Sequence, residues 1–329
     1  MGTGRCPEEA GIDWGQADAG ESGNKVGTRI DMDKICCIIL NYNDAATAMA
    51  LANEIREYPC LDSIVLVDNC STDDSWEKLK TLRHTDKIHV LRTEENGGYG
   101  MGNQAGINYA VEYLEADYII IANPDIHVTP RCIERVKHAL DNTEDAVMAS
   151  ARVVDPQGKD LFSYWTLLPL WKDLLDTGLI TRRLFKAMLN TPSYRLQNAG
   201  DEDSRLVDAV PGSFFMLKLG LLTPQEIKEL FDRHMFLYYE EKVLGQKFKE
   251  MGLKTLLVTD ASYVHAHSAT IDKSVKRIVD KQKLLHESKR YYYREYLHGT
   301  PAQMAAARVL LGLVLAEVWF LTVVCRMRW

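Results

Sequence analysis

The sequence predicts an open α/β domain, a mostly parallel twisted sheet with helices on both faces, followed by a C-terminal helical extension. Three observations predict it. Short continuous apolar runs alternate with helix-length stretches from residue 34 onward, the pattern of a parallel sheet buried on both faces. With 329 residues and 46% hydrophobic content, the chain can bury a large core without disulfide or metal staples. No segment repeats at a fixed period, which excludes solenoids.

Residues 1–33 carry three bases against seven acids, are rich in Gly, Asp and Glu and have no apolar period, so they read as a disordered leader. The fold is expected to begin at Lys34. Apolar runs at 35–40, 64–67, 88–91 and 118–122 are expected strands, separated by helices at about 45–57, after Ser71 and at about 103–114. A helix from Pro130 to about residue 140 then leads to a strand at 147–154. The aromatic stretch at 161–190 is expected to form helices or an extended insertion. Strand-like runs resume at 206–217 and 253–258, with helices at about 224–231 and 240–251, the latter closed by Gly252 as a C-cap. These elements assign 34–270 to one domain.

The last 59 residues are different in kind. Residues 271–297 hold eight Lys or Arg against four acids and end in Tyr291-Tyr292-Tyr293, which predicts a long basic amphipathic helix. Gly299 and Pro301 break it. An apolar run at 309–324, interrupted by Glu317, falls short of the ~20 residues a transmembrane helix needs. Docking of the C-terminus on a membrane surface, with basic residues near anionic headgroups, is expected; a buried terminal helix or a homodimer contact is the alternative.

The net charge of −7 argues against a nucleic-acid binder. Seven cysteines, without C-x-x-C spacing, suggest reduced thiols and no zinc knuckle. The N-terminus lacks the apolar core of a secretory signal, so a cytoplasmic protein, peripheral to the inner face of the cell membrane, is expected.

Five motifs carry chemistry. In Val67-Asp68-Asn69-Cys70-Ser71-Thr72-Asp73-Asp74, Asp68 stands at a strand's carboxyl end, where open α/β sheets bind ligands and where a carboxylate can accept from a base or ribose. Ser71 and Asp74 also suit a helix N-cap. In Asn96-Gly97-Gly98-Tyr99-Gly100-Met101-Gly102-Asn103 the glycines allow close backbone approach before a helix N-terminus that favours phosphate, although neither a P-loop nor a dinucleotide fingerprint is present. In Asn123-Pro124-Asp125 a buried strand ends on a carboxylate that can hold Mg²⁺ or Mn²⁺. Glu240-Glu241, behind an aromatic run, offers a general base. His265-Ala266-His267 follows a strand, with its two imidazoles on one face.

Together these motifs resemble inverting glycosyltransferases of family 2, which have the nucleotide-sugar-binding GT-A fold. Asn41-Tyr42-Asn43 and Pro211-Gly212-Ser213-Phe214-Phe215 add to the match, and the closest likeness is to the bacterial rhamnosyltransferase-like branch that builds capsular or cell-wall polysaccharide. The resemblance implies a UDP- or dTDP-sugar donor, dTDP-rhamnose included, and a lipid-linked or growing glycan as acceptor. It implies nucleotide-sugar binding by Asn41, Asn43, Asp68, Asn96, Gly97, Gly98, Asn103, Asn123, Gly212 and Ser213. Asp125 with His265 would hold Mn²⁺ or Mg²⁺, and Glu241 or Glu240 would be the catalytic base. Two departures stand out: Asn123 occupies a position where many members have Asp, and Glu241 one where the base is usually Asp. They motivate the alternative of a catalytically inactive scaffold subunit in a membrane polysaccharide assembly complex.

Overall fold

The computed structural model describes residues 33–83, 87–185, 189, 197–198, 202–266 and 278–326. Nearly all of the expected leader, His267 and the first seven residues of the basic helix therefore lie outside the described residues.

Ten strands form one sheet: β1 (Ile35–Asn41), β2 (Ser63–Asp68), β3 (Ile88–Arg92), β4 (Tyr118–Ala122), β5 (Ile126–His127), β6 (Ala146–Val154), β7 (Gln197–Asn198), β8 (Ser204–Val207), β9 (Phe214–Lys218) and β10 (Lys254–His265). Their order is β3-β2-β1-β4-β9-β6-β10-β8-β7, with β5 pairing to β10. Strands β3, β2, β1 and β4 are mutually parallel. Their side chains alternate between two cores: Cys37, Ile39, Ile64, Leu66 and Ile120 pack on one face, and Ile38, Val65, Val67, Ile119 and Ile121 on the other. Burial on both faces explains why these strands read as unbroken apolar runs.

The second half of the sheet is mixed. The expected single run at 206–217 is divided at Pro211-Gly212, because proline cannot donate to a ladder. β8 lies antiparallel between β10 and the edge strand β7, whereas β9 inserts antiparallel between β4 and β6.

Helices α1 (Ala45–Ile55), α2 (Ser75–Leu79), α3 (Gly98–Leu114) and α4 (Pro130–Asn142) connect the first six strands. α4 begins with Thr129 accepting from Cys132 N and Pro130 in the first turn. The 161–190 stretch contains α5 (Leu170–Leu175) and α6 (Leu179–Leu184) and a bridge between Trp165 and Ala209. α7 (Pro224–Lys228) opens with a Thr223/Glu226 capping box, and α8 (Glu240–Glu250) ends before Gly252 at φ +76°.

α9 (Ile278–Glu295) and α10 (Pro301–Trp319) form the extension. Pro301 does not only stop the basic helix; it starts the next one, behind a Thr300/Gln303 capping box. α10 runs on through a π-helical turn, Phe320–Val324. The apolar helix is thus 24 residues long and contains an 18-residue stretch of mean hydropathy 2.0, long and apolar enough to cross a membrane. The 16-residue reading counted only strongly apolar side chains and missed the alanine-rich turns before Val309, which are excellent helix formers. Glu317 does not interrupt the helix, because its carboxylate accepts from Ile180 N at 3.1 Å, on α6. A third core joins α5, residues 235–243, α9 and α10 through Leu174, Tyr239, Tyr292, Tyr293 and Leu311.

Among the described residues, Cys36, Cys37, Cys60, Cys132 and Cys325 form no disulfide.

Candidate active site

The strand ends at β1 and β2 are tied together by their own polar side chains. Asn41, fully buried, donates to Asp68 Oδ1 at 2.9 Å and to Ser71 Oγ at 3.2 Å. Asn43, at φ +56°, accepts from Thr72 N at 2.8 Å through its side-chain oxygen and donates its own backbone N–H to Ser71 Oγ at 2.9 Å. Asp68 is sealed from solvent, and burial pushes its carboxyl up despite bonds from Ser71 and Asn41 and the Arg92 guanidinium 3.3 Å away. Asn69 continues the lattice by donating to Asn96 Oδ1 and Gly98 O, both at 3.0 Å.

The glycine-rich segment is a helix start rather than a turn before one. α3 begins at Gly98, five residues earlier than the sequence pattern suggests, and its glycines press it against its neighbours. Gly98 sits at φ +84°, and a Cβ there would lie 2.0 Å from the Phe236 carbonyl; a Cβ on Gly102 would lie 2.4 Å from Leu40. The first amides of α3 already have protein acceptors, since Gly98 N donates to Asn96 Oδ1 and Tyr99 N to Phe236 O, each at 3.0 Å. Asn103 is fully buried; its Nδ2 donates to Tyr99 O, while its Oδ1 has no partner.

A continuous path leads from α3 to the middle of the sheet. Tyr99 Oη donates to Gly212 O at 2.5 Å. The next residue, Ser213, pairs its hydroxyl with Tyr263 Oη at 2.7 Å, and its carbonyl accepts from Asn123 N at 2.8 Å. Two residues beyond Asn123, Asp125 Oδ1 lies 3.3 Å from His265 Nε2, and both side chains are largely buried. The Asn123 and Ser213 strand ends, Asp125 and His265 thus meet at one place.

Among the described residues there is no group of three or more His, Cys, Asp or Glu side chains that could hold a metal. Asp125 and His265 nonetheless suit a hard divalent ion. Asp125 Oδ1 and His265 Nε2, 3.3 Å apart, are a carboxylate oxygen and an imidazole nitrogen converging on one place, the donor types that would hold such an ion.

The acid pair faces Tyr99 from the other side. Glu241 and Glu240 are the charges that most raise the Tyr99 phenol beyond the effect of burial. Both begin α8, where the helix dipole favours anions, and both follow Tyr238 and Tyr239, held at φ +72° and +75°. Glu240 is only 6% exposed, and its Oε1 has no hydrogen-bond partner. Burial and then the neighbouring charge of Glu241 push Glu240 well above the carboxylate range. Burial also raises Glu241; a backbone amide opposes the rise at both residues, and at Glu241 the Lys242 charge opposes it further.

Sequence reasoning missed the group that anchors this pair. Asp173, on α5 and 2% exposed, accepts from Tyr239 Oη at 2.5 Å, Tyr293 Oη at 2.7 Å and Lys289 Nζ at 3.0 Å, and also from Lys242 Nζ. Burial alone would raise its carboxyl, yet Lys289 and Lys242 hold it well below the usual range. Tyr239 and Lys242 bracket Glu240-Glu241, so this cluster fixes the start of α8.

A curled mixed sheet with carboxylates gathered at the carboxyl ends of its central strands is the GT-A-type architecture of nucleotide-sugar transferases. It superposes on the crystal structure of GalNAc-T7 with UDP, GalNAc and Mn²⁺ with a TM-score of 0.51 and 15% identity, covering 91% of this chain and 57% of that one. A family model, glycosyl transferase family 2, matches residues 36–200, and the chain belongs to that family. The low-salt glycan biosynthesis hexosyltransferase Agl10 of Haloferax volcanii is 26% identical over 210 residues, which is 64% of this chain and 60% of that protein. An N-acetylglucosaminyl-diphospho-decaprenol L-rhamnosyltransferase of Mycobacterium tuberculosis is 26% identical over 223 residues, 64% of this chain and 69% of that protein.

Proposed function

We propose that this protein is an inverting glycosyltransferase that moves a sugar from a UDP- or dTDP-sugar to a hydroxyl of a lipid-linked or growing cell-surface glycan. The observation that carries the reading is the hydrogen-bonded path from Tyr99, beside Glu240-Glu241, through Gly212 and Ser213 to Asn123 and the Asp125–His265 pair. Family membership supports the donor class, and the rhamnosyltransferase relative makes dTDP-rhamnose one donor to test. Residues 34–270 form the catalytic domain in this proposal. Residues 271–329 form the extension that brings it to the cytoplasmic face of a membrane.

The two glutamates divide the work. Adjacent buried carboxyls resist ionising together. Glu240, deeper and without a partner for Oε1, keeps its proton; Glu241, which alone of the two is eased by the Lys242 charge, carries the charge and is the base. It removes the acceptor's proton as that oxygen bonds to the anomeric carbon, and the bond from that carbon to the diphosphate oxygen breaks with its electrons leaving on the nucleoside diphosphate. One displacement inverts the anomeric centre. Mn²⁺ or Mg²⁺, when held by Asp125 and His265, supplies positive charge to the donor's diphosphate. Asp68, sealed from solvent, acts on the nucleotide pocket through the groups it holds, Asn41, Ser71 and Arg92, with Asn43 and the Asn96–Asn103 segment shaping the pocket around them.

The test is a donor-turnover series on Glu241→Gln, Glu240→Gln and Asp125→Ala. Glu241→Gln is expected to lose roughly 10²–10⁴-fold in kcat while binding of UDP or dTDP persists. Glu240→Gln should keep most of kcat, and Asp125→Ala should abolish stimulation by Mn²⁺. Full turnover by Glu241→Gln with loss in Glu240→Gln would reverse the assignment. Wild-type protein that binds the nucleotide yet turns over no donor would favour a scaffold role.

A further inference from the structure

Residues 232–239 form a strap with two faces. One face bonds to the α3 start through Phe236 O and Tyr99 N. The other packs on α9, where Ser288 Oγ donates to Leu237 O at 2.7 Å. Behind this second face, between the strap, α9 and α10, lies a cavity of about 430 Å³ that neither the nucleotide motifs nor the acid pair uses. His234, Phe236, Arg290, Tyr291, Arg294 and Arg308 line it.

Its charge is one-sided, with three guanidiniums against the single acid Glu287. Arg290 and Arg308 are exposed and make no ion pair among the described residues, whereas Arg294 lies beside Glu295 at 2.5 Å. His234 is held by Asp232, which also accepts from Tyr291 and Tyr296 at 2.9 and 2.7 Å, so the aromatic wall is fixed. Arginine forks match phosphate oxygens bidentately.

An exposed apolar surface begins at the residue after Arg308. Immediately after Arg308, α10 exposes Val309 and Leu313, more than 60% accessible each, and farther on Trp319, Phe320, Val323 and Val324. Clustered cations beside an exposed apolar helix face complement one kind of molecule: an anionic head on a long hydrocarbon tail.

We propose that this cavity binds the diphosphate of a polyprenyl-linked acceptor, with the lipid chain along the exposed face of α10. The proposal rests on the transferase reading and names the acceptor's chemistry. The strap is then the wall between the carrier's phosphates and the acid pair, and the acceptor sugar reaches past Phe236 to Glu241.

The experiment titrates the full chain with farnesyl diphosphate, inorganic diphosphate and farnesol by calorimetry, and in parallel measures the thermal shift with UDP and dTDP. Wild-type protein should bind farnesyl diphosphate more tightly than either fragment. Arg290→Ala/Arg308→Ala should weaken it at least roughly tenfold without changing the nucleotide shift, and Arg308→Lys should lose less than Arg308→Ala. No binding by the wild type, equal binding of inorganic and farnesyl diphosphate, or unchanged affinity in the double variant would overturn the proposal. Intact farnesyl diphosphate binding with no nucleotide shift would leave the cavity's assignment standing and overturn the transferase reading.

Discussion

Replacing Asp173 with asparagine keeps the side chain's shape and removes its charge, and the consequence follows from four contacts. The ammonium groups of Lys289 and Lys242 and the hydroxyls of Tyr239 and Tyr293 all point at this one carboxylate. Lys289 is 5% exposed, so it cannot turn to water when its partner is neutralised. Breaking a buried ion pair from one side costs ~3–5 kcal/mol. At ~2 °C per kcal/mol for a chain of this size, Asp173→Asn should melt roughly 6–10 °C below wild type. Lys289→Met in the Asp173→Asn background should return part of that loss, because it removes the stranded charge. The pH dependence has a definite sign. The folded carboxyl lies below its ordinary value, so its stabilisation is complete above the unfolded aspartate pKa of ~3.9 and is lost as pH falls toward the folded value. Wild-type melting temperature should therefore fall with acid below about pH 4 more steeply than that of Asp173→Asn. The assay is calorimetric or fluorescence-detected melting from acid to neutral pH. A variant that melts within about 1 °C of wild type at neutral pH, where several kcal/mol are expected, would refute the ion-pair argument.

Gly98→Ala should destabilise by at least ~2 kcal/mol in urea unfolding, from a left-handed backbone and a Cβ driven into the Phe236 carbonyl, and should weaken nucleotide binding because the α3 start must leave the strap. Leu313→Glu/Phe320→Glu, on the exposed face of α10, should abolish co-sedimentation with anionic liposomes while leaving the melting temperature within ~1 °C; unchanged co-sedimentation would exclude α10 as the membrane contact.

The parallel half of the sheet was legible because its strands are buried on both faces and so write their positions as continuous apolar runs. Ile35–Asn41 and Tyr118–Ala122 fall within a residue or so of the expected bounds. The glycine-rich segment was misread in kind: four glycines in eight residues look like a loop, and only the proximity of Leu40 and Phe236 shows that they let a helix lie close. The adjacent acids at 240–241 were visible as chemistry, but the asymmetry between them comes from burial, which no spacing encodes. Asp173 was invisible for a related reason. It stands alone in a stretch without periodicity, and Lys289, which gives it meaning, is 116 residues away.

That separation bears on how the acid pair is held. Tyr238 and Tyr239 are consecutive non-glycine residues in the left-handed region, each costing ~1–2 kcal/mol, and such strain persists only where the surroundings over-determine it. The restraints here come from four directions. Phe236 O is fixed by the α3 amide of Tyr99, Leu237 O by Ser288 on α9, the Tyr239 hydroxyl by Asp173 on α5, and Asp173 in turn by Lys289 and Tyr293 on α9. Two of these anchors belong to the C-terminal extension. A helix that read in the sequence as a basic appendage therefore helps to set the backbone that aims Glu240 and Glu241, and the extension is part of the framework of the proposed active site.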